Sequence, residues 1–250
     1  MLTGQDPARQ PLRAIIFDVD GTLAETEETH REAFNRTFAE FGLPWSWDQA
    51  LYRQLLRVSG GKERMRAFAE QQDSARLADG FDQMIAAMHK RKTELYTSIV
   101  ESGGVPLRPG IARLIGEARE AGLTLAVATT TSQANVIALF EATGTGLDWF
   151  SCVACAEQAP MKKPDPQVYT LVLERLGLPA ESCLALEDSS NGVKAARAAG
   201  LPVVVTESIY TQGDDFSGAL AVFPDLKAVT LDDLRTLNWS QKDTAAGAER

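Results

Sequence analysis

Three short apolar runs in this chain each end in a chemically active side chain, and this recurrence limits the fold more than any other feature. The runs are Ala14-Ile15-Ile16, leading into Phe17-Asp18-Val19-Asp20-Gly21-Thr22; Leu123 to Ala128, leading into Thr129; and Cys183-Leu184-Ala185-Leu186, leading into Glu187-Asp188. Each reads as a buried strand running into a turn, and helical patterns lie between them. In an open parallel α/β sheet the C-terminal ends of the strands line one crevice, so residues far apart in sequence meet there.

The first run carries two carboxylates at i and i+2, which emerge on the same side of an extended strand. Gly21 allows a sharp turn and close approach of an anion to the backbone. Two Asp beside a Gly also occur in plain turns, so the remaining segments decide the reading. Thr129 offers a hydroxyl at a strand–helix junction, where free N–H groups cradle phosphate. Thr130 and Thr131 follow it, and Ser132 reads as the N-cap of a helix to about Phe140. Lys163 sits in Met161-Lys162-Lys163-Pro164-Asp165-Pro166, where two prolines fix the backbone ahead of a helix. Lysine is usually solvated, but one held on such a turn can neutralise a phosphate oxygen and a carboxylate. The adjacent acids Glu187 and Asp188 are costly at a strand end unless a cation joins them. Mg²⁺ suits hard oxygen ligands. A helix N-cap would explain one of the two acids and leave the other unaccounted for.

Taken in this order, the residues resemble the four motifs of the haloacid dehalogenase (HAD) superfamily: Asp18 with Asp20, Thr129, Lys163, and Glu187 with Asp188. The resemblance runs from about Arg13 to Phe223. It implies a Rossmann-like three-layer α/β core with a parallel sheet of order 5-4-1-2-3, plus an inserted α-helical cap domain. It also implies Asp18, Asp20, Thr129 and Lys163 as catalytic residues, and Mg²⁺ bound by Asp18, Asp20, Glu187 and Asp188.

The α/β rhythm stops after the first strand. Residues 25 to 101 are helical by pattern, with helices expected at Thr26 to Phe41, Trp47 to Val58, Lys62 to Gln71 and Asp79 to Ser98. The expected division is therefore a core of residues 1–24 and 106–250 and a cap of residues 25–105. Linkers near 22–26 and 101–109 would act as hinges, so that closure excludes water. Residues 51–70 hold Arg53, Arg57, Lys62, Arg64 and Arg66 against Glu63 and Glu70, a basic excess in an acidic chain. Gly60-Gly61 leaves free N–H groups at a helix start, which favours an anion. A solvated basic face is the plainer reading of most of these residues. Thr26 and His30 share a helix face near the first strand, whereas His89 lies in a basic run with Lys90, Arg91 and Lys92 and reads as structural.

The stretch Asp18 to Glu27, together with Gly60-Gly61-Lys62-Glu63-Arg64, is similar to one branch of the superfamily, the CbbY family. That likeness implies a sugar-bisphosphate phosphatase of the Calvin cycle that removes the rubisco inhibitor xylulose 1,5-bisphosphate. The branch also resembles β-phosphoglucomutase, whose cap residues Thr26 and His30 match; Glu25 stands where that mutase has an aspartate. The substrate-binding set implied by these readings is Glu25, Thr26, His30, Arg57, Lys62, Arg64 and Thr130. The alternatives are a phosphomutase, which shares the catalytic set, and a phosphoglycolate phosphatase. A response-regulator receiver is disfavoured because its acidic pair precedes the phosphorylated Asp. A dehalogenase is disfavoured because Asp20 supplies an acid/base that halide departure does not need.

With 34 acidic against 25 basic residues among 250, the net charge is −9, which argues against nucleic acid and anionic membrane as partners. The three cysteines, Cys152, Cys155 and Cys183, include a Cys-x-x-Cys in a strand-like run without a second pair or nearby His. They read as structural, in keeping with a reduced cytoplasmic setting. No apolar run approaches a membrane span and residues 1–11 show no hydrophobic signal core. A monomer is expected, with frayed ends over about the first dozen residues and beyond Trp239.

Overall fold

β1 (Ala14–Phe17) is buried along its whole length because it is a central strand, flanked in parallel by β2 (Thr124–Ala128) and β4 (Cys183–Glu187). The structure, a computed structural model, describes residues 11–72 and 80–237. β3 (Cys152–Ala154), β5 (Val203–Thr206) and β6 (Ala221–Phe223) complete a six-stranded parallel sheet of order β3-β2-β1-β4-β5-β6. This is the expected five-strand order with β6 added at the edge beyond β5. The chain leaves β1 towards β2 on one side and returns at β4 on the other. The crevice between β1 and β4 is thus the switch point where such sheets bind ligands.

Alternation along the strands divides the apolar residues between two layers. Ile15, Phe17, Leu125, Val127, Leu184 and Leu186 face one side, packed by α5 (Ile111–Glu120), α6 (Gln133–Thr143) and α9 (Leu231–Thr236). Ala14, Ile16, Ala126, Ala128, Ala185 and Val203 face the other, against α7 (Gln167–Leu176) and α8 (Ser190–Ala198).

Between β1 and α5 the chain forms α1 (Glu27–Glu40), α2 (Gln49–Leu55), α3 (Gly61–Gln72) and α4 (Phe81–Glu101). These helices enclose their own aromatic cluster. Trp47 lies at its centre, with ring centroids 4.8, 4.7 and 5.5 Å from those of Phe34, Phe38 and Phe68. This is the inserted helical cap. Its two connections run side by side: Ala24 bridges to Leu107, and the Arg108 N–H donates to the Leu23 carbonyl at 2.8 Å.

Helix boundaries differ from expectation at several ends: α2 stops at Leu55 rather than Val58 and α6 runs on to Thr143. α2 begins after Asp48, whose carboxylate accepts the Leu51 N–H at 2.8 Å, rather than at Trp47. The Asn35 side chain bonds both backbone groups of Trp47, at 2.7 and 2.8 Å, and holds it outside the helix. α4 continues past Ser98 to Glu101. The expected start at Asp79 lies outside the described residues, as do residues 1–10 and 238–250, where frayed ends are expected. None of the described helices is long and apolar enough to cross a membrane.

Candidate active site

Asp18 follows β1 directly, its N–H still paired with the Leu186 carbonyl of β4 at 3.0 Å. Its carboxylate meets Lys163, whose Nζ lies 2.6 Å from Asp18 Oδ1, 2.6 Å from Glu187 Oε1 and 2.9 Å from the Ala128 carbonyl. Lys163 is only 5 % exposed. Burial disfavours its ammonium, but the two carboxylates outweigh that and raise its pKa. Burial lifts the Asp18 pKa to about 7, Lys163 opposing and Glu187 adding to the rise. Thr129 is buried just past β2, with its N–H on the Ala154 carbonyl at 3.0 Å. Its hydroxyl accepts the Thr131 N–H at 3.2 Å.

Glu187 lies deepest. Besides Lys163 it accepts the Tyr169 hydroxyl at 2.6 Å and the Asp188 N–H at 3.2 Å. Gly192 makes room for it, since a Cβ there would fall 1.9 Å from its carboxyl carbon. Asp188 is 4 % exposed, and no cationic side chain pairs with it among the described residues. Burial and its neighbours Asp18 and Glu187 push its pKa well up, against a hydrogen bond from Ser208. Oxygens of Asp18, Glu187 and Asp188 lie within 4.8 Å of one another. A dense set of hard oxygens, destabilised by mutual repulsion, is a donor set that fits a small divalent cation. Gly21 is required beside it twice over: its φ is +78°, and a Cβ would lie 2.1 Å from Asp188 Oδ2.

Asp20 has a different set of partners. Its Oδ1 accepts the Thr26 hydroxyl at 2.5 Å and lies 3.0 Å from His30 Nε2. Lys92 Nζ approaches His30 Nδ1 at 2.5 Å, and Tyr96 stacks on the imidazole with centroids 4.1 Å apart. A lysine donating to Nδ1 leaves Nε2–H to donate to Asp20, which fixes the tautomer through the network. Burial works against an ionised Asp20, but His30, Thr26 and Lys92 outweigh it and lower its pKa. Burial brings the Lys92 pKa down to about 7, although Asp20 and Glu27 oppose this. Thr26 occupies the N-cap position of α1 without capping it, because its hydroxyl is turned to Asp20. In the sequence Lys92 reads only as one member of a basic run.

Asp18, Asp20, His30, Thr129, Lys163 and Asp188 open into one cleft of about 1340 Å³, which Arg57, Lys62, Arg64, His89, Thr130 and Lys162 also line. Arg57 and Lys62 are exposed there. Arg64 is 8 % exposed and faces into the cap, donating to the Leu55 carbonyl at 3.2 Å and the Tyr52 hydroxyl at 3.0 Å. His89, read as structural, borders the cleft, and burial together with Lys92, Lys62 and Lys162 lowers its pKa to about 3. Glu25 does not line the cleft. Its carboxylate pairs with Arg108 Nε at 3.0 Å, and Arg108 also donates to the carbonyls of Gly21, Thr206, Glu207 and Pro224. A buried guanidinium with five donors draws Glu25 to the hinge. Cys152, Cys155 and Cys183 are free and buried, and burial pushes the Cys155 thiol up to about 12.

A family model for haloacid dehalogenase-like hydrolases matches residues 12–200. The chain belongs to this family. Among its relatives, CbbY from a plasmid of Cupriavidus necator is 54% identical over 220 residues, covering 86% of each chain. CbbY of Rhodobacter capsulatus is 53% identical over 219 residues, 87% of this chain and 95% of that one. The crystal structure of a CbbY mutant from Rhodobacter sphaeroides in complex with xylulose-(1,5)bisphosphate superposes with a TM-score of 0.84 at 45% identity, covering 89% of this chain and 99% of that one. These likenesses extend the family assignment to its CbbY branch, and the chain is an enzyme of the phosphatase kind.

Proposed function

We propose that this protein is a Mg²⁺-dependent sugar phosphatase that works through an aspartyl-phosphate, with xylulose 1,5-bisphosphate as its substrate. The observation that carries the reading is the separation of roles between two neighbouring carboxylates: Asp18 faces Lys163 at 2.6 Å, whereas Asp20 faces Thr26 and His30 at 2.5 and 3.0 Å. The xylulose bisphosphate bound by the Rhodobacter sphaeroides CbbY mutant supports the choice of substrate.

In this mechanism Asp18 Oδ attacks phosphorus, and the bond from phosphorus to the sugar oxygen breaks as Asp20 gives that oxygen a proton. Asp20 then takes a proton from water, which attacks the aspartyl-phosphate and releases phosphate with Asp18 restored. His30, Thr26 and Lys92 hold Asp20 ionised; the negative charge of an entering phosphate opposes that ionisation, and Asp20 then takes the proton needed for the first step through His30. Thr129 and Lys163 hold the phosphoryl oxygens, where charge is spread at the transition state. Asp18, Asp188 and the main-chain carbonyl of Asp20 would hold Mg²⁺, with Glu187 beside them, and the ion would neutralise charge on the transferring group. Residues 25–105 act as the cap, hinged at the Arg108–Glu25 pair. Lys62, Arg57 and Thr130 bind the rest of the substrate, within a monomer, and Arg64, turned to Tyr52 and the Leu55 carbonyl, braces the helix that carries Lys62.

Phosphate release with Mg²⁺ from xylulose 1,5-bisphosphate, ribulose 1,5-bisphosphate, β-glucose 1-phosphate and phosphoglycolate tests this. A strong preference for the first is expected. Conversion of β-glucose 1-phosphate to glucose 6-phosphate with little phosphate release would refute it in favour of a mutase.

A further inference from the structure

The cap's aromatic cluster is built from residues 34–88 with one exception among the described residues: Tyr210, from the core loop between β5 and β6. Tyr210 is 5 % exposed. Its ring meets Tyr52 of α2 edge-on, with centroids 5.5 Å apart and planes at 86°, and its hydroxyl donates to Glu28 of α1. Close by, Arg53 of α2 donates to the Gln212 carbonyl and lies 3.4 Å from Asp214. A core loop is therefore fastened to two cap helices.

The other end of the same turn reaches the acidic cluster. Ser208, 1 % exposed, stands beside Asp188: a Cβ built on Gly21 would lie 2.1 Å from Asp188 Oδ2 and 3.2 Å from Ser208 Cβ. Its N–H and hydroxyl both meet the Thr211 hydroxyl at 3.0 Å. The N–H groups of Thr211 and Gln212 return to the Ser208 carbonyl at 3.1 and 3.0 Å. Residues 208–212 thus form one tight, internally hydrogen-bonded turn, with the cap on one end and Asp188 on the other.

We infer that Tyr210 is a positioning residue that couples cap closure to the cation affinity of the Asp18–Asp188 site, acting through Ser208. With the cap shut, Tyr210 seats the turn and Ser208 orients Asp188; with the cap open, that restraint is lost. Coupling of this kind is reciprocal: whatever factor closure contributes to Mg²⁺ affinity, Mg²⁺ contributes to closure. The inference rests on the reading of Asp188 as a metal ligand.

The test is calorimetric titration of the full chain with MgCl₂, alongside hydrogen exchange of hinge amides at residues 20–26 and 101–108. Tyr210→Ala should weaken Mg²⁺ binding about fivefold, the low end of typical coupling, and abolish the slowing of hinge exchange by Mg²⁺. Tyr210→Phe keeps the ring in the cap cluster and should lose less. In a Ser208→Ala background, Tyr210→Ala should change Mg²⁺ affinity no further. Unchanged affinity in Tyr210→Ala with faster hinge exchange would overturn the coupling and leave Tyr210 as a packing residue. Additive losses in the double variant would also overturn it. If the wild type binds no Mg²⁺, the metal reading fails and the coupling fails with it.

Discussion

Asp18 and Asp20 are two residues apart, yet different parts of the molecule hold them. Asp18 is fixed from the core: Lys163 arrives from the turn before α7, Glu187 from β4, and Tyr169 braces Glu187 from α7. Asp20 is fixed from the inserted helices: Thr26 and His30 come from the start of α1, and Lys92 and Tyr96 from α4. The first set depends on strand ends whose register the sheet dictates. The second exists only while α1 and α4 stand over the sheet. In this account the nucleophile is ready whatever the cap does, whereas the acid/base is armed by the cap, so proton transfer waits on closure.

The largest effect should come from breaking the core half. Lys163→Met leaves Asp18 and Glu187 buried without their cation. It should cost about 3–5 kcal/mol of stability and about 10³-fold in turnover, read by urea denaturation and phosphate release. Gly192→Ala attacks the same half without touching a charge. The new Cβ would overlap the Glu187 carboxyl and should cost about 1–3 kcal/mol in the same denaturation experiment.

Lys92→Met probes the cap half through pH. Folded Lys92 gives up its proton near pH 7, while the unfolded chain keeps it to about pH 10.4. Between those values the unfolded state binds more protons, so this group makes wild-type stability rise with pH and fall again as pH returns to 7. Below about 7 it adds no further slope. Denaturation from pH 7 to 10 should show this rise in the wild type and its loss in Lys92→Met. The smallest effect is expected at the exposed rim, where Lys62→Ala should raise KM about threefold to tenfold with kcat nearly unchanged.

The same contrast explains what the sequence made legible. The motifs of the core half are local signals, apolar runs ending in Asp18, Thr129 and Glu187, and a parallel sheet brings strand ends together without further information. The cap half depends on partners far apart in the chain. Lys92 looks like one member of a solvated run, yet Lys90 is exposed and Arg91 pairs with Glu40 at 2.6 Å, while Lys92 is 5 % exposed. A signal was present: Met88, Lys92, Tyr96 and Val100 recur every four residues and place the lysine in the apolar stripe of α4. Arg108 and Tyr210 had no such signal, because the atoms they bond lie in the first forty residues, at the end of β5 or in the loops after β5 and β6. Arg64 sits on a basic segment as read, but its side chain is drawn inward by Tyr52, a contact that periodicity alone does not specify.

The central claim, that the cap arms Asp20 and the core alone prepares Asp18, is tested most directly by the leaving group in His30→Asn. The first phosphoryl transfer to Asp18 would be followed in single turnovers, from xylulose 1,5-bisphosphate and from 4-nitrophenyl phosphate, whose phenolate departs without a proton. The account predicts a loss of about 10²-fold for the sugar phosphate and nearly wild-type transfer from the nitrophenyl ester. Equal losses on both would mean that His30 serves the nucleophile as well, contradicting the division of labour between the two halves.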